Sequence, residues 1–253
     1  MKKALVLFGN EENTHNLIKS CIYLKEKFGY NLNAILVRDV ITETMSMGQG
    51  LIANVNYPLF VDDMIKIEKE ELKFLVEKLK EEKLKIDLTY EIGIISETIK
   101  EYMKSYDLLI LGKGVVASDI LMDVLKENYK STLILGEEEL KFSNIYIAND
   151  DSAEVNKSCY SFIRDFPEIK EFISIQENSN EENKLNEYLI SKNKKIDVKK
   201  FSDSNSLVEF VKSAEHNGVT IMGNLSRNYF VEKIMGRSGL KILEKAKMAL
   251  YIG

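Results

Sequence analysis

The 253-residue chain is 45% hydrophobic and 30% charged, with a formal net charge of −5 and a pI near 5.4. That composition supports a buried core and argues against the concentrated basic surface of a nucleic-acid binder. Two cysteines without close spacing give no metal or redox motif, and no apolar run approaches the roughly 20 residues of a membrane span. The opening "MKKALVLFGNEEN" lacks the long apolar core and cleavage site of a signal peptide. A cytoplasmic protein with reduced thiols is expected.

In chain order, the first half of the pattern predicts a strand over 3–8, a helix over 12–28, a strand over 32–37 and a helix over 61–83. It continues with a strand over 85–90, a helix over 96–105, a strand over 107–111, a helix over 118–128 and a strand over 132–135. The second half predicts strands over 144–149, 171–175, 195–200, 219–222 and 247–252, with helices over 152–165, 180–192, 204–216 and 237–245 between them. Runs such as "LVLF" and "LLIL" suit strands covered on both faces. Strict alternation of strand and helix implies parallel sheets with helices on both sides. The fold class expected is α/β: two tandem doubly wound domains, each with a five-stranded parallel sheet. The boundaries are 1–138 and 139–253, and "GEEELKFS", 136–143, reads as a short polar link.

An internal repeat carries the two-domain reading. Lys19-Ser20-Cys21 recurs as Lys157-Ser158-Cys159. Around it, Leu17, Cys21, Leu24 and Phe28 share a helical face, and Val155, Cys159, Phe162 and Phe166 repeat that spacing. Both cysteines read as core. "KIDL" at 85–88 answers "KIDV" at 195–198, "DLLILG" ending at Gly112 answers "GVTIMG" ending at Gly223, and "TLILG" ending at Gly136 answers "ALYIG" ending at Gly253. The changing offsets place an insertion in the first half, centred on residues 39–60, and a longer connection before the last strand of the second half. The insertion is apolar enough to pack on its own domain, to cover the crevice, or to meet a protein partner.

Ligands of open α/β sheets bind beyond the carboxyl ends of the strands. There the second half offers "NDDSAE", with Asp150, Asp151 and Ser152, and the stretch "IMGNLSRNYFVEKIMGRSG", 221–239. Glycines let backbone N–H groups approach a phosphate, and arginines add charge-assisted contacts. The bland readings are that Ser152 and an adjacent aspartate cap a helix, that Gly223 makes a turn, and that the arginines are solvated.

Together these residues resemble the universal stress protein family, in a tandem form covering nearly the whole chain. Nucleotide-binding members carry G-x2-G-x9-G-[ST] after the fourth strand. Gly223 matches its first position, Ser226 replaces the second glycine, Gly236 matches the third, and Arg237 stands at the Ser/Thr place with Ser238 one later. The family's "DGS" aspartate is matched by Asp150 in "DDS". The resemblance implies ATP or a related adenine nucleotide, with or without magnesium. Asp150 would face the base and ribose, and Gly223 and Gly236 the phosphates, with Asp151, Ser152, Ser226, Arg227, Arg237 and Ser238 around them. The first half lacks the second and third motif glycines and places Glu12 opposite Asp150, so it reads as a structural partner. Universal stress domains pair through their last strands, which implies an intramolecular pseudo-dimer, with a further homodimer open. A single continuous sheet, or halves that fail to superimpose, is taken as a result that would end the account of two copies.

The function these features imply is a stress-response regulator that binds nucleotide in its second domain. The alternative is a nucleotide-free interaction module of the same fold. Enzymatic activity stays open: His15 and His216 lie in different halves, no nucleophile has an evident base, and no "GxxxxGK[ST]" is present. Slow ATP hydrolysis would need little more than a positioned water and metal.

Overall fold

The computed structural model describes residues 2–9, 14–39, 57–112, 118–136, 138–177, 183–202, 206, 209–210, 218–223 and 248–253. Their elements run β1 (Lys3–Phe8), α1 (Thr14–Phe28), β2 (Asn31–Asp39), α2 (Tyr57–Glu81), β3 (Asp87–Gly93), α3 (Ile95–Tyr102), β4 (Leu108–Gly112), α4 (Ser118–Glu127) and β5 (Ser131–Leu135). Then come β6 (Ile145–Ala148), α5 (Ala153–Asp165), β7 (Glu171–Glu177), α6 (Lys184–Ser191), β8 (Lys195–Phe201), β9 (Val219–Met222) and β10 (Ala249–Ile252). The expected helix over 204–216 is described only at residues 206, 209 and 210, which are helical, and the one over 237–245 lies outside the described residues.

The ten strands form one sheet in the order β3-β2-β1-β4-β5-β10-β9-β6-β7-β8. Each half has the same doubly wound order, and every pairing is parallel except the antiparallel junction of β5 with β10. The continuous sheet does not count against two copies, because it is what pairing of two last strands produces. Without that junction β5 and β10 would be open edges, which are prone to association.

The ladders correct two of the sequence alignments. Leu108 pairs with Ser131 and Val219 with Ala249, so matching Leu108 with Val219 matches Ser131 with Ala249. "STLIL" therefore answers "ALYIG", one residue away from the alignment on Gly136 and Gly253. A one-residue slip would turn every side chain to the wrong face. Likewise Ala4 pairs with Leu108 and Ile145 with Val219, so Ala4 matches Ile145 and Gly9, not Glu12, stands opposite Asp150. The helix spacing misled because the connection before α1 is longer than that before α5.

One face of the sheet is covered by α1, α2, α5 and α6. Leu17, Cys21, Leu24 and Phe28 of α1 are buried there, as are Val155, Cys159, Phe162 and Phe166 of the second half. Leu75 and Leu79 of α2 join them. The opposite face packs Ile95 and Ile99 of α3 and Leu121 and Leu125 of α4 against Leu5, Leu7, Leu109, Leu111, Ile134, Leu250 and Ile252.

The link between the halves is not merely polar. Leu140 is buried and its N–H donates to Ser20 Oγ at 3.0 Å. Phe142 lies 4.9 Å from Phe28 and 4.8 Å from Phe166, ring centre to ring centre. Phe28 also meets Phe166 at 5.1 Å with the rings nearly perpendicular, an arrangement favoured by their quadrupoles. The linker thus drives an aromatic wedge between α1 and α5.

Candidate functional site

β6 and β9 are neighbours at the point where the strand order of the second half reverses, since β6 leads on to β7 on one side and β9 to β10 on the other. Ile147 pairs with Ile221, so Asn149 and Gly223, two residues on, are level at the carboxyl ends. This is where doubly wound folds form their ligand crevice. Asp150 is exposed there, and its Oδ1 accepts the N–H of Ser152 at 3.0 Å. Ser152 is the N-cap of α5, with extended backbone, and its Oγ accepts from Val155 N at 3.3 Å. Gly223 is buried against this turn: a Cβ there would lie 3.0 Å from Glu154 Cβ and 3.3 Å from Val155 N. The glycine serves close approach of β9 to the start of α5.

Asp151 has a different task. Its φ of 56° lies in the left-handed region, which Asp tolerates better than most residues. It occupies the glycine place of the "DGS" pattern. That turn aims its carboxylate at the start of α6, where Oδ2 accepts from Lys184 N at 3.1 Å and Oδ1 from Leu185 N at 2.8 Å. Two first-turn N–H groups that a helix leaves open are satisfied this way. Of the two adjacent aspartates, Asp151 holds the crevice wall and Asp150 faces outward.

The sequence reading missed the polar network behind them. Buried Asn149 receives Asp151 N on its Oδ1 at 2.9 Å. Its Nδ2 lies 2.9 Å from Ser174 Oγ, 3.0 Å from Asn183 Oδ1 and 3.1 Å from Asn186 Oδ1. Asn183 caps α6 by accepting from Asn186 N at 3.0 Å, and Asn186 donates to Gln176 Oε1 at 3.2 Å. The signal available in sequence was Ser174 and Gln176, two polar residues among the apolar Phe172, Ile173 and Ile175 of the strand interior and on the same alternation as buried Phe172.

Ser226, Arg227, Gly236, Arg237 and Ser238 lie outside the described residues, as do Glu12, His216 and 40–56 of the insertion. The structure therefore brings together Asp150, Asp151, Ser152 and Gly223. His15 is an exposed residue of α1 whose Nδ1 lies 2.9 Å from Glu82 Oε1. Burial pushes the Cys21 thiol up to about 12 and raises that of Cys159 as well, so neither is a ready nucleophile. Among the described residues no group of three His, Cys, Asp or Glu side chains is placed to hold a metal ion, and no helix is long and apolar enough to cross a membrane.

No protein-family model matches the chain, and no curated protein matches it by sequence. Solved structures do. A universal stress protein from Archaeoglobus fulgidus DSM 4304 superimposes with a TM-score of 0.69, covering 98% of this chain and 94% of its own at 11% identity. The fold is that of a universal stress protein. A protein of that family from Burkholderia pseudomallei aligns over 53% of this chain and 95% of its own, at 9% identity and a TM-score of 0.38. MJ0577 aligns over 53% of this chain and 94% of its own, at 16% identity and a TM-score of 0.39. The universal stress fold thus spans 98% of the chain in the first comparison.

Proposed function

We propose that the protein is a cytosolic stress-response regulator of the universal stress type that binds ATP or a related adenine nucleotide in its second half. The reading treats 1–138 and 139–253 as two domains of one duplicated unit. The observation that carries it is the placing of Asp150 and Gly223. They follow adjacent strands at the reversal point, and both lie at the start of α5. A carboxylate there suits ribose hydroxyls, and close-packed backbone beside a helix start suits a phosphate. Magnesium would arrive with the phosphates. Gly236 and Arg237 complete the phosphate side in this proposal, and the 39–60 insertion serves a protein partner.

A second reading has its own observation. The Asn149 and Asp151 side chains are already engaged by α6 and β7, which suits a nucleotide-free interaction module whose crevice is closed by its own groups. Calorimetric titration with ATP, ADP and AMP, with and without magnesium, separates the two. The first predicts one-site binding that Asp150→Ala or Gly236→Trp abolishes. No heat at millimolar nucleotide overturns it in favour of the second. Nucleotide turnover that Asp150→Ala removes would make the protein a hydrolase.

A further inference from the structure

A buried polar cluster lies at the junction of β5 and β10, away from the crevice. Tyr251 Oη is 2.6 Å from Asp165 Oδ2 and 2.7 Å from Ser131 Oγ. Arg164 donates from Nε to Asp165 Oδ1 at 2.9 Å and from Nη2 to Ser131 Oγ at 3.4 Å. The Asp165 carbonyl oxygen accepts from Lys2 Nζ at 2.6 Å and from the Tyr30 hydroxyl at 3.3 Å. Asp165 is 4% exposed, Ser131 1% and Tyr251 0%. Lys2, Tyr30 and Ser131 come from the first half, and Arg164, Asp165 and Tyr251 from the second.

The cluster is badly explained as simple stabilisation. A carboxylate in the last turn of a helix sits at the wrong end of the dipole, and a buried charge costs stability unless it is paired. Arg164 is exposed, so its pair with Asp165 adds little, whereas a buried carboxylate held by hydroxyls can favour one arrangement over another. The symmetry of the junction shows what is selected. Leu133 pairs with Tyr251 and Ile134 with Leu250. The ladders match Ser131 with Ala249, and so Leu133 with Tyr251, which puts the local twofold through the Leu133–Tyr251 pair. The twofold mates of Tyr251 and Ser131 are then Leu133 and Ala249, both apolar. The helix repeat matches Arg164 and Asp165 with Glu26 and Lys27, and Lys27 turns to the Tyr23 hydroxyl instead. One side of the axis carries the cluster, and the matched positions Leu133, Ala249, Glu26 and Lys27 do not reproduce it.

We propose that this one-sided cluster is a recognition code that makes the junction heterotypic. The edge formed by β10 and the end of α5 fits a first-half edge that presents Ser131, Tyr30 and Lys2, and rejects a second copy of itself. In a β10–β10 pairing Tyr251 would face Tyr251, Ala249 would replace Ser131, and two Asp165 carboxylates would meet without Lys2 or Tyr30. The code closes the chain on itself and withholds β5 and β10 from pairing with other copies. It needs the two-half reading of the chain but not nucleotide binding.

The test uses the intact chain with a protease site inserted before Glu138, which is exposed. The folded protein is cut, then followed by size-exclusion chromatography and native mass spectrometry. The two fragments are expected to stay together one to one. Tyr251→Phe keeps the ring but removes the hydroxyl that joins Asp165 Oδ2 to Ser131 Oγ, and weakens the association of the fragments about tenfold or more. Ser131→Ala weakens it from the first-half side, and decides the matter if Tyr251→Phe fails to fold. Unchanged association in the variants, separation of the wild-type fragments, or second-half fragments recovered as pairs would each overturn the proposal.

Discussion

Asp151 combines a left-handed backbone with a carboxylate that holds the first turn of α6. The two contributions separate by substitution. Asp151→Ala loses the cap while still holding a Cβ at φ of 56°, and should lower stability by about 1 kcal/mol. Asp151→Gly loses the cap too but relieves the left-handed strain, worth about 1 kcal/mol, and should cost less. Urea midpoints at constant slope check this ordering, and equal stability of the two variants would refute it. The titrating core gives a second expectation. Burial raises the Cys21 thiol from 9.0 to about 12, so above pH 9 the folded chain holds a proton that the unfolded chain releases. Stability is then full below pH 9 and falls as pH rises toward about 12. Tyr251, raised by burial and then by Asp165, acts in the same direction above pH 10. Urea midpoints taken from neutral to alkaline pH should decline across this window, and a flat profile would contradict the assignment. At this scale the sequence showed that "NDDS" ends a strand and begins a helix. It could not show which aspartate caps, because that depends on where α6 lies. The carboxamide network was illegible for the same reason: Asn149, Ser174, Gln176, Asn183 and Asn186 meet only through tertiary packing.

The helices were legible because their stripes are regular. Leu17, Cys21, Leu24 and Phe28, and their counterparts in the second half, are all buried as the 3.6-residue period requires. The linker was not, because "GEEELKFS" has only two apolar side chains and nothing in its local pattern says that they insert. Phe166 lies under this wedge, in ring contact with Phe28, Tyr30, Phe142, Phe162 and Tyr251. Phe166→Ala should therefore cost about 3–5 kcal/mol. Tyr160→Ala, on α5 but 58% exposed, should stay within about 0.5 kcal/mol. Denaturant unfolding of both variants measures the contrast, and similar losses would mean that the wedge is not what joins α1 to α5. Strand register shows the limit of sequence echoes. The glycines Gly136 and Gly253 invite alignment, yet the alternation of side chains across the pleat fixes the match one residue away.

For the whole molecule, the proposed duplication would connect three features of the one ten-stranded sheet: the same strand order twice, one antiparallel junction among parallel pairs, and a repeated helix stripe. The exposed outer strands differ in character, β3 carrying Asp87 and Glu91 and β8 carrying Lys195, Lys199 and Lys200. Charge of this kind on an edge strand discourages further pairing. The halves also differ at the carboxyl ends of their first strands. The second places Asp150 at the end of β6, where the first has Gly9, and only the second supplies the later glycine and arginine of the phosphate motif. An adenine nucleotide is therefore expected in one half only. The most direct measurement is equilibrium dialysis of the intact protein against labelled ATP with magnesium. Saturation at one nucleotide per chain is expected, falling to none in Asp150→Ala. Two nucleotides per chain, or none in the wild type, would contradict it.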